Sequence, residues 1–224
     1  MTDALRDLDS PDVVILANGD PPTGAALELL SSARFCVACD GAAAVARSLG
    51  REPDFAVGDG DSISNQDASA LGGRFVRLAE QETNDLAKAF QFSCRRFPNA
   101  KRLVVLGAAG KREDHFLGNV SRLAGFAEEW MRTPGRPDDA IVAMVSEFGR
   151  FDVVIGERMF ASKQSDAVSV FAFHAGTHVF SKGLEWPLDG VALDELWKGT
   201  LNKATGDSFT LRMDRPLVVY RPFK

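Results

Sequence analysis

The 224-residue sequence predicts an α/β domain with a mostly parallel sheet, followed by a small antiparallel β-sandwich domain. Three observations point there. The first half alternates short β-branched runs with helical stretches, the grammar of βαβ units. The second half changes to period-two patterns at short spacing without long helices between them. Between them lies Thr133-Pro134-Gly135-Arg136-Pro137-Asp138-Asp139, the one stretch of linker composition, dividing the chain into residues 1–135 and 136–224.

Val13 to Ala17 reads as a buried strand ending at Asn18-Gly19, and Ala25 to Ala33 as a helix preceded by Pro21-Pro22. Phe35 to Cys39 is a second strand, and Ala42 to Leu49 a short helix closed by Gly50. Phe55 to Val57 and Phe75 to Leu78 are further strands; a helix over Asn84 to Arg96 precedes a fifth, Leu103 to Leu106. The longest helix runs from Asp114 to Met131. Period-two strands follow at Ile141 to Ser146, Phe151 to Ile155, Ala167 to Phe173, Thr177 to Phe180, Phe209 to Met213 and Leu217 to Tyr220. Phe148, Phe151, Phe171, Phe173 and Phe180 are expected to fill the sandwich core.

Hydrophobic residues at 45% and charged residues at 25% describe an ordinary folded protein and exclude a disordered or collagenous chain. Twenty-six basic against 31 acidic residues give −5, which leaves no electrostatic footprint for nucleic acid. No apolar run approaches the ~20 residues that span a bilayer. The polar, acidic start (Met1 to Pro11) resembles no secretory or transit signal, and Cys36, Cys39 and Cys94, odd in number and in apolar contexts, suit a reducing cytoplasm. The charge is uneven: residues 1–135 carry net −4, and Arg51–Asp61 alone carries −3.

In open parallel sheets, ligands bind beyond the carboxyl ends of the strands. Those ends are Asn18-Gly19-Asp20, Asp40-Gly41, Gly58-Asp59-Gly60-Asp61-Ser62, Gln81 to Asp85, and Gly107 to His115. Each delivers at least one carboxylate. Carboxylates gathered on one rim repel unless a cation joins them. All-oxygen ligands favour magnesium or calcium over zinc, and magnesium shared between carboxylates and phosphates is usual in phosphoryl transfer. Lys88, Lys111 and Arg112 could meet phosphate oxygens. Asp40 and Asp85 also stand where helix caps belong, so each alone is ambiguous; Asp59, Asp61 and Asp85 together favour a metal.

Other motifs are weaker. Cys36-Val37-Ala38-Cys39 has zinc spacing, but in a strand its two thiols point to opposite faces. His174 and His178 would share a strand face without a third ligand. Gly107 to Lys111 is not a Walker loop, because Val105 stands where the first glycine belongs and Arg112 follows the lysine.

Taken in order, these segments resemble the thiamine pyrophosphokinase family over nearly the whole chain. Val14 to Pro22 is similar to its strand-then-Asn-Gly opening, Asp40-Gly41-Ala42-Ala43 to its Asp-Gly-Gly-Ala, and Pro53-Asp54 with Gly58 to Ser62 to its Pro-Asp…Gly-Asp-x-Asp-Ser. Gln81 to Ala89 resembles its Gln-Asp-x-Thr-Asp-x-x-Lys-Ala, and Gly107 to His115 with Asn119 its Gly-Ala-x-Gly-Gly-Arg-x-Asp-His loop. Ser181 to Leu188 is close to its Gly-Leu-Lys-Trp/Tyr-x-Leu segment, with Asn202 beyond. The resemblance implies transfer of a diphosphate from ATP to thiamine with release of AMP, by a homodimer whose clefts use both subunits. It assigns Asp59, Asp61 and Asp85 to magnesium and catalysis. Asn18, Asp40, Gly41, Gln81, Lys88, Lys111, Arg112, Asp114 and His115 fall to the nucleotide, and Ser181, Gly183, Leu184, Trp186 and Asn202 to thiamine. A cationic heterocycle suits the Trp186 indole face. Ala42, Asn84, Lys111, Glu185 and Leu201 depart from the family pattern and bear on substrate preference. The general base stays open. A pyrophosphokinase acting on another heterocyclic alcohol, such as a pterin, and a non-catalytic nucleotide or thiamine sensor are the alternatives.

Overall fold

The computed structural model describes residues 3–223. Its strands are β1 (Val13–Leu16), β2 (Phe35–Cys39), β3 (Phe55–Gly58), β4 (Phe75–Arg77), β5 (Arg102–Leu106), β6 (Ile141–Val145), β7 (Gly149–Val154), β8 (Glu157–Ala161), β9 (Ala167–Ala172), β10 (Val179–Lys182), β11 (Asn202–Lys203), β12 (Ser208–Met213) and β13 (Leu217–Pro222). Its α-helices are α1 (Gly24–Ser32), α2 (Ala42–Ser48), α3 (Asn65–Leu71), α4 (Asp85–Arg96) and α5 (Glu113–Arg132).

Strands β4, β3, β2, β1, β5 and β6 lie in that order with every neighbouring pair parallel. The chain steps outward from β1 to β4, and α4 then returns it to β5 on the other side of β1. Such a reversal opens a crevice at the carboxyl ends of the strands. Alternation across the sheet separates two cores: Val13, Ile15, Val37 and Val105 face α4 and α5, whereas Val14, Leu16, Ala38 and Val104 face α1 and α2. Cys36 and Cys39 fall on opposite sides of that division. The two thiols therefore cannot close on one ion, and burial pushes Cys36 up to about 12 and Cys39 well above its usual value.

The antiparallel half differs from its sequence reading, first in β6. Ile141–Val145 has the burial of a central strand and runs parallel beside β5. Strand direction is set by α5, which crosses over between β5 and β6, and not by local pattern. From β6 the sheet continues antiparallel through β7, β13, β9 and β11, ten strands in all. The three-stranded sheet β10-β12-β8 packs on that extension. Between them Val154, Val168, Val170, Leu217 and Val219 meet Phe160, Val179, Phe209 and Leu211. The sandwich thus shares a layer with the α/β sheet.

The second-half aromatics distribute accordingly. Phe151, Phe171 and Phe173 belong to the core under α4 and α5 rather than to the sandwich. Phe148 and Phe180 are exposed. His174 and His178 lie in the loop before β10, not on a strand, and His178 Nδ1 is 2.8 Å from Asp214 Oδ2. Helix α3 and strand β8 carry no strong pattern: each buries a single side chain, Leu71 and Phe160.

Two buried polar devices join the halves. Arg136, in the linker, stacks on Trp130 at 3.3 Å and donates to the Phe97, Ala100 and Trp130 carbonyls, so one cation closes the ends of both α4 and α5. Arg150 and Asp152, both fully buried on β7, form a cluster with Arg158, Arg221 and Asp7 of the N-terminal 3-10 turn.

Candidate active site

The loops after β1, β2, β3 and β5 and the start of α4 converge at the crevice. Asp40 follows β2 with φ of 39°, a conformation uncommon outside glycine. Its Oδ2 accepts the Ser62 amide at 2.7 Å, drawing the β3 loop over β2. Gly58 makes that approach possible: a Cβ there would stand 2.6 Å from Asp40 Cβ. Neither Asp40 nor Asp85 caps its helix. Asn84 does so for α4, accepting from the Ala87 amide at 2.9 Å, which keeps the capping role at a position where the sequence departs from the family pattern. Both carboxylates are therefore left for the crevice.

Asp40, Asp59 and Asp85 present oxygens within 4.8 Å of one another. Lys88, one turn into α4 and 2% exposed, lies 3.4 Å from Asp85 Oδ1 and 3.6 Å from Asp59 Oδ2. Burial works against the Lys88 charge, but Asp85 and Asp59 outweigh it and hold its pKa above the ordinary lysine value. Burial pushes Asp85 upward despite Lys88. Burial and the nearby Asp59 and Asp61 charges push Asp40 upward despite the Ser62 amide. Asp59 goes the other way, held low by the Asp61 amide and by Gln81 Nε2 at 2.9 Å. Two of the three carboxylates pair with one ammonium, and Asp40 Oδ1 is buried without a hydrogen bond among the described residues.

Asp61 is not brought into this group. Its amide donates to Asp59 Oδ1 at 3.1 Å and its side chain is exposed. The two carboxylates of Asp59-Gly60-Asp61 thus divide, one inward and one on the rim, while Asp40 supplies the third inward group. Arg77, at the end of β4, donates from Nε to the Asp59 carbonyl at 2.8 Å; sequence reasoning passed over it because a lone arginine in a strand carries no motif.

On the β5 side, Lys111 adopts φ of 58° and donates to the Asn18 carbonyl at 3.0 Å, tying the β1 and β5 loops together. Arg112 and Asp114 pair with each other at 2.5 Å, both exposed, with His115 exposed beside them. Asn119 is spent inside, donating to the Ala108 carbonyl at 3.0 Å.

The segment 181–188 stands elsewhere. Asn202, buried on β11, accepts from the Trp186 amide at 3.2 Å and donates to its carbonyl at 2.7 Å. Ser181 Oγ accepts from the Leu188 amide at 2.7 Å, and Leu184 is buried in the sandwich core. Gly183 has φ of 81° and hugs β12. These four shape a loop that presents the Trp186 indole, 51% exposed, with Lys203 Nζ 5.7 Å from the ring centre. Strand β11 lies seven strand steps from β2, on the order of 34 Å along the sheet at ~4.8 Å per step.

A profile of the thiamin pyrophosphokinase catalytic domain matches residues 26–134, and a profile of that family's substrate-binding domain matches residues 149–220. The chain belongs to the thiamine pyrophosphokinase family. Thiamine pyrophosphokinase 1 of Oryza sativa subsp. japonica is 29% identical over 150 residues, covering 63% of this chain and 55% of that relative, so the match spans about half the relative's length. Among solved structures, the yeast family member superposes with a TM-score of 0.75 at 14% identity, over 98% of this chain and 90% of that one. The Bacillus subtilis member gives 0.72 at 19%, over 95% and 99%. At these identities the structural likeness shows a shared thiamine pyrophosphokinase fold.

Proposed function

We propose that this protein transfers the diphosphoryl group of ATP to the hydroxyethyl oxygen of thiamine, giving thiamine diphosphate and AMP. The observation that carries the reading is the gathering of Asp40, Asp59 and Asp85 at the mouth of the crevice, with Lys88 paired to the last two, in a chain of this family. Magnesium fits that donor set, which is all oxygen, more negative than Lys88 can neutralise, and includes the unbonded Asp40 Oδ1. Asp40, Asp59 and Asp85 would hold the ion, with Asp61 at its exposed flank. Bound there, magnesium supplies charge neutralisation for the transferred group.

The remaining work falls to side chains. Gln81 and the Asp61 amide fix Asp59, and Lys88 fixes both Asp59 and Asp85. Asn18, Gly41, Lys111, Arg112, Asp114 and His115 form the nucleotide side. The thiamine oxygen bonds to the β-phosphorus as the bond from that phosphorus to the α,β-bridging oxygen breaks. The hydroxyl proton passes to a rim carboxylate, and AMP leaves with the electron pair. With ATP, Mg2+ and thiamine, the purified protein should release AMP and thiamine diphosphate in equal amounts. AMP released only with a pterin alcohol would overturn the substrate, and binding without turnover would make the protein a sensor.

Trp186 offers its ring to the thiamine cation in place of Lys203. Trp186→Ala should raise the thiamine KM about tenfold and change kcat by less than about twofold. An unchanged KM would remove Trp186 from the substrate site.

Trp186 lies far along the sheet from Asp40 in one chain, which supports a homodimer in which each cleft takes its carboxylates from one subunit and its indole from the other. Exposed Trp197 and Leu201 beside β11 suit such a contact. Mixing equal amounts of Asp59→Asn and Trp186→Ala subunits, assayed below the variant's thiamine KM, should restore about a quarter of wild-type activity, because half of the dimers are mixed and half of the sites in each are intact. Mixtures no more active than their parts would place both groups in one subunit's site. The free, buried thiols suit a reducing cytoplasm, which we propose as the compartment. No described helix is long and apolar enough to cross a membrane.

A further inference from the structure

We propose that Arg77 is a polyphosphate-binding residue, anchored through its Nε so that its terminal guanidinium nitrogens are presented to the substrate. The inference rests on the diphosphate-transfer reading and adds a residue to it. Arg77 is exposed at the end of β4, the strand next outward from β3. Its Nε donates to the Asp59 carbonyl at 2.8 Å. Its guanidinium lies against Gly60, whose φ is +93°; a Cβ there would meet Arg77 Nε at 3.4 Å and Cζ at 3.6 Å. The glycine therefore serves two ends, a turn between Asp59 and Asp61 and a seat for the arginine.

Among the described residues, no carboxylate pairs with Arg77 and no acceptor meets its Nη1 or Nη2. Lys111 on this rim is likewise held by a carbonyl, that of Asn18, whereas Arg112 is engaged by Asp114 and Lys88 by Asp59 and Asp85. Arg77 instead bonds to a neutral carbonyl, which fixes its place without cancelling its charge. A guanidinium held by Nε keeps the paired N–H edge of its two terminal nitrogens for another ligand, and that edge matches two oxygens of a phosphate. The loop it grips carries Asp59 and Asp61, so a polyphosphate reaching the proposed metal site would arrive beside it. Lysine would keep the charge but lose either the anchor or the fork.

The test separates phosphate binding from bracing of the loop. Binding of inorganic tripolyphosphate and of ATP is measured calorimetrically, without thiamine, for wild type, Arg77→Met and Arg77→Lys. We expect Arg77→Met to weaken both ligands about 10- to 100-fold, Arg77→Lys to recover only part of the loss, and the ATP KM to rise while the thiamine KM stays within about twofold. Unchanged tripolyphosphate affinity in Arg77→Met overturns the proposal, as does an equal fall in kcat with no selective loss of phosphate binding. Wild-type AMP release is assayed in parallel. If wild type binds tripolyphosphate through Arg77 but makes no thiamine diphosphate, the reaction assignment fails and the phosphate site stands.

Discussion

Asp59→Asn is expected to lower turnover about 10³-fold or more while leaving the fold intact. Asp59 is the most heavily organised of the rim carboxylates: its oxygens take the Asp61 amide and Gln81 Nε2, and one lies 3.6 Å from Lys88. Asparagine has the same shape, and its remaining oxygen can accept one of those donors. What it removes is the charge. That charge holds the magnesium in the proposed reaction, and the Lys88 ammonium would then face Asp85 alone. Because the Asp61 amide, Gln81 and Lys88 favour the Asp59 charge, the melting midpoint should fall slightly while the fold is kept. Asp61→Asn should cost clearly less, since Asp61 is exposed and outside the group. The measurement is kcat/KM across a magnesium series, with a melting curve for each variant. An Asp59→Asn enzyme keeping a tenth of wild-type activity, or an Asp61→Asn enzyme the more impaired of the two, would displace Asp59 as the central ligand.

Asp152→Asn should cost about 3–5 kcal/mol at pH 7, because it strands buried cations. Arg150 is fully buried and bonds to both Asp152 and Asp7, while Arg158 and Arg221 reach Asp152 from the sandwich side. Removal leaves Arg150 and Arg158 sharing Asp7, itself 45% exposed, and takes from Arg221 the carboxylate it pairs with. For a chain of this size the midpoint should fall about 10 °C or more. The pH dependence has a definite sign. Burial alone would raise the Asp152 pKa, but Arg150, Arg221 and Arg158 outweigh it and set it below the ordinary carboxylate value. Its stabilisation is therefore complete above the unfolded pKa of about 3.9 and disappears as pH falls through the lower folded value. The gap between wild type and Asp152→Asn should stay constant from neutral pH down to about 4 and narrow below it. Equal denaturant midpoints at pH 7 would show that the cluster contributes nothing to the joint between the halves.

Much of the α/β part is written locally. Val13-Val14-Ile15-Leu16 is apolar throughout because helices cover both faces, and such runs announce buried parallel strands. Helix α4 shows its buried stripe through Leu86, Ala87, Ala89, Phe90 and Cys94. Helix α3 left no such trace, since only Leu71 is buried and the rest faces water. The sandwich strands were legible as strands, yet a period of two says nothing of which sheet receives them. That is why β6 joins the parallel side and why Phe148 and Phe180 face solvent.

The sequence by itself determined the fold class, the order of the strongly patterned elements and the rim on which the carboxylates gather, because hydrophobic period and strand-end glycines are local properties. It could not decide which carboxylates meet. Asp59 and Asp61 are equivalent on paper, and the Asx-type bond from the Asp61 amide to Asp59 Oδ1 separates them. Asp40 joins Asp59 because the Ser62 amide and the absence of a side chain at Gly58 let two loops close together. Only the strand order places the Trp186 loop near one edge of the sheet and the carboxylates toward the other. These are contacts between residues distant in sequence, fixed by packing energies to which no single segment holds the key.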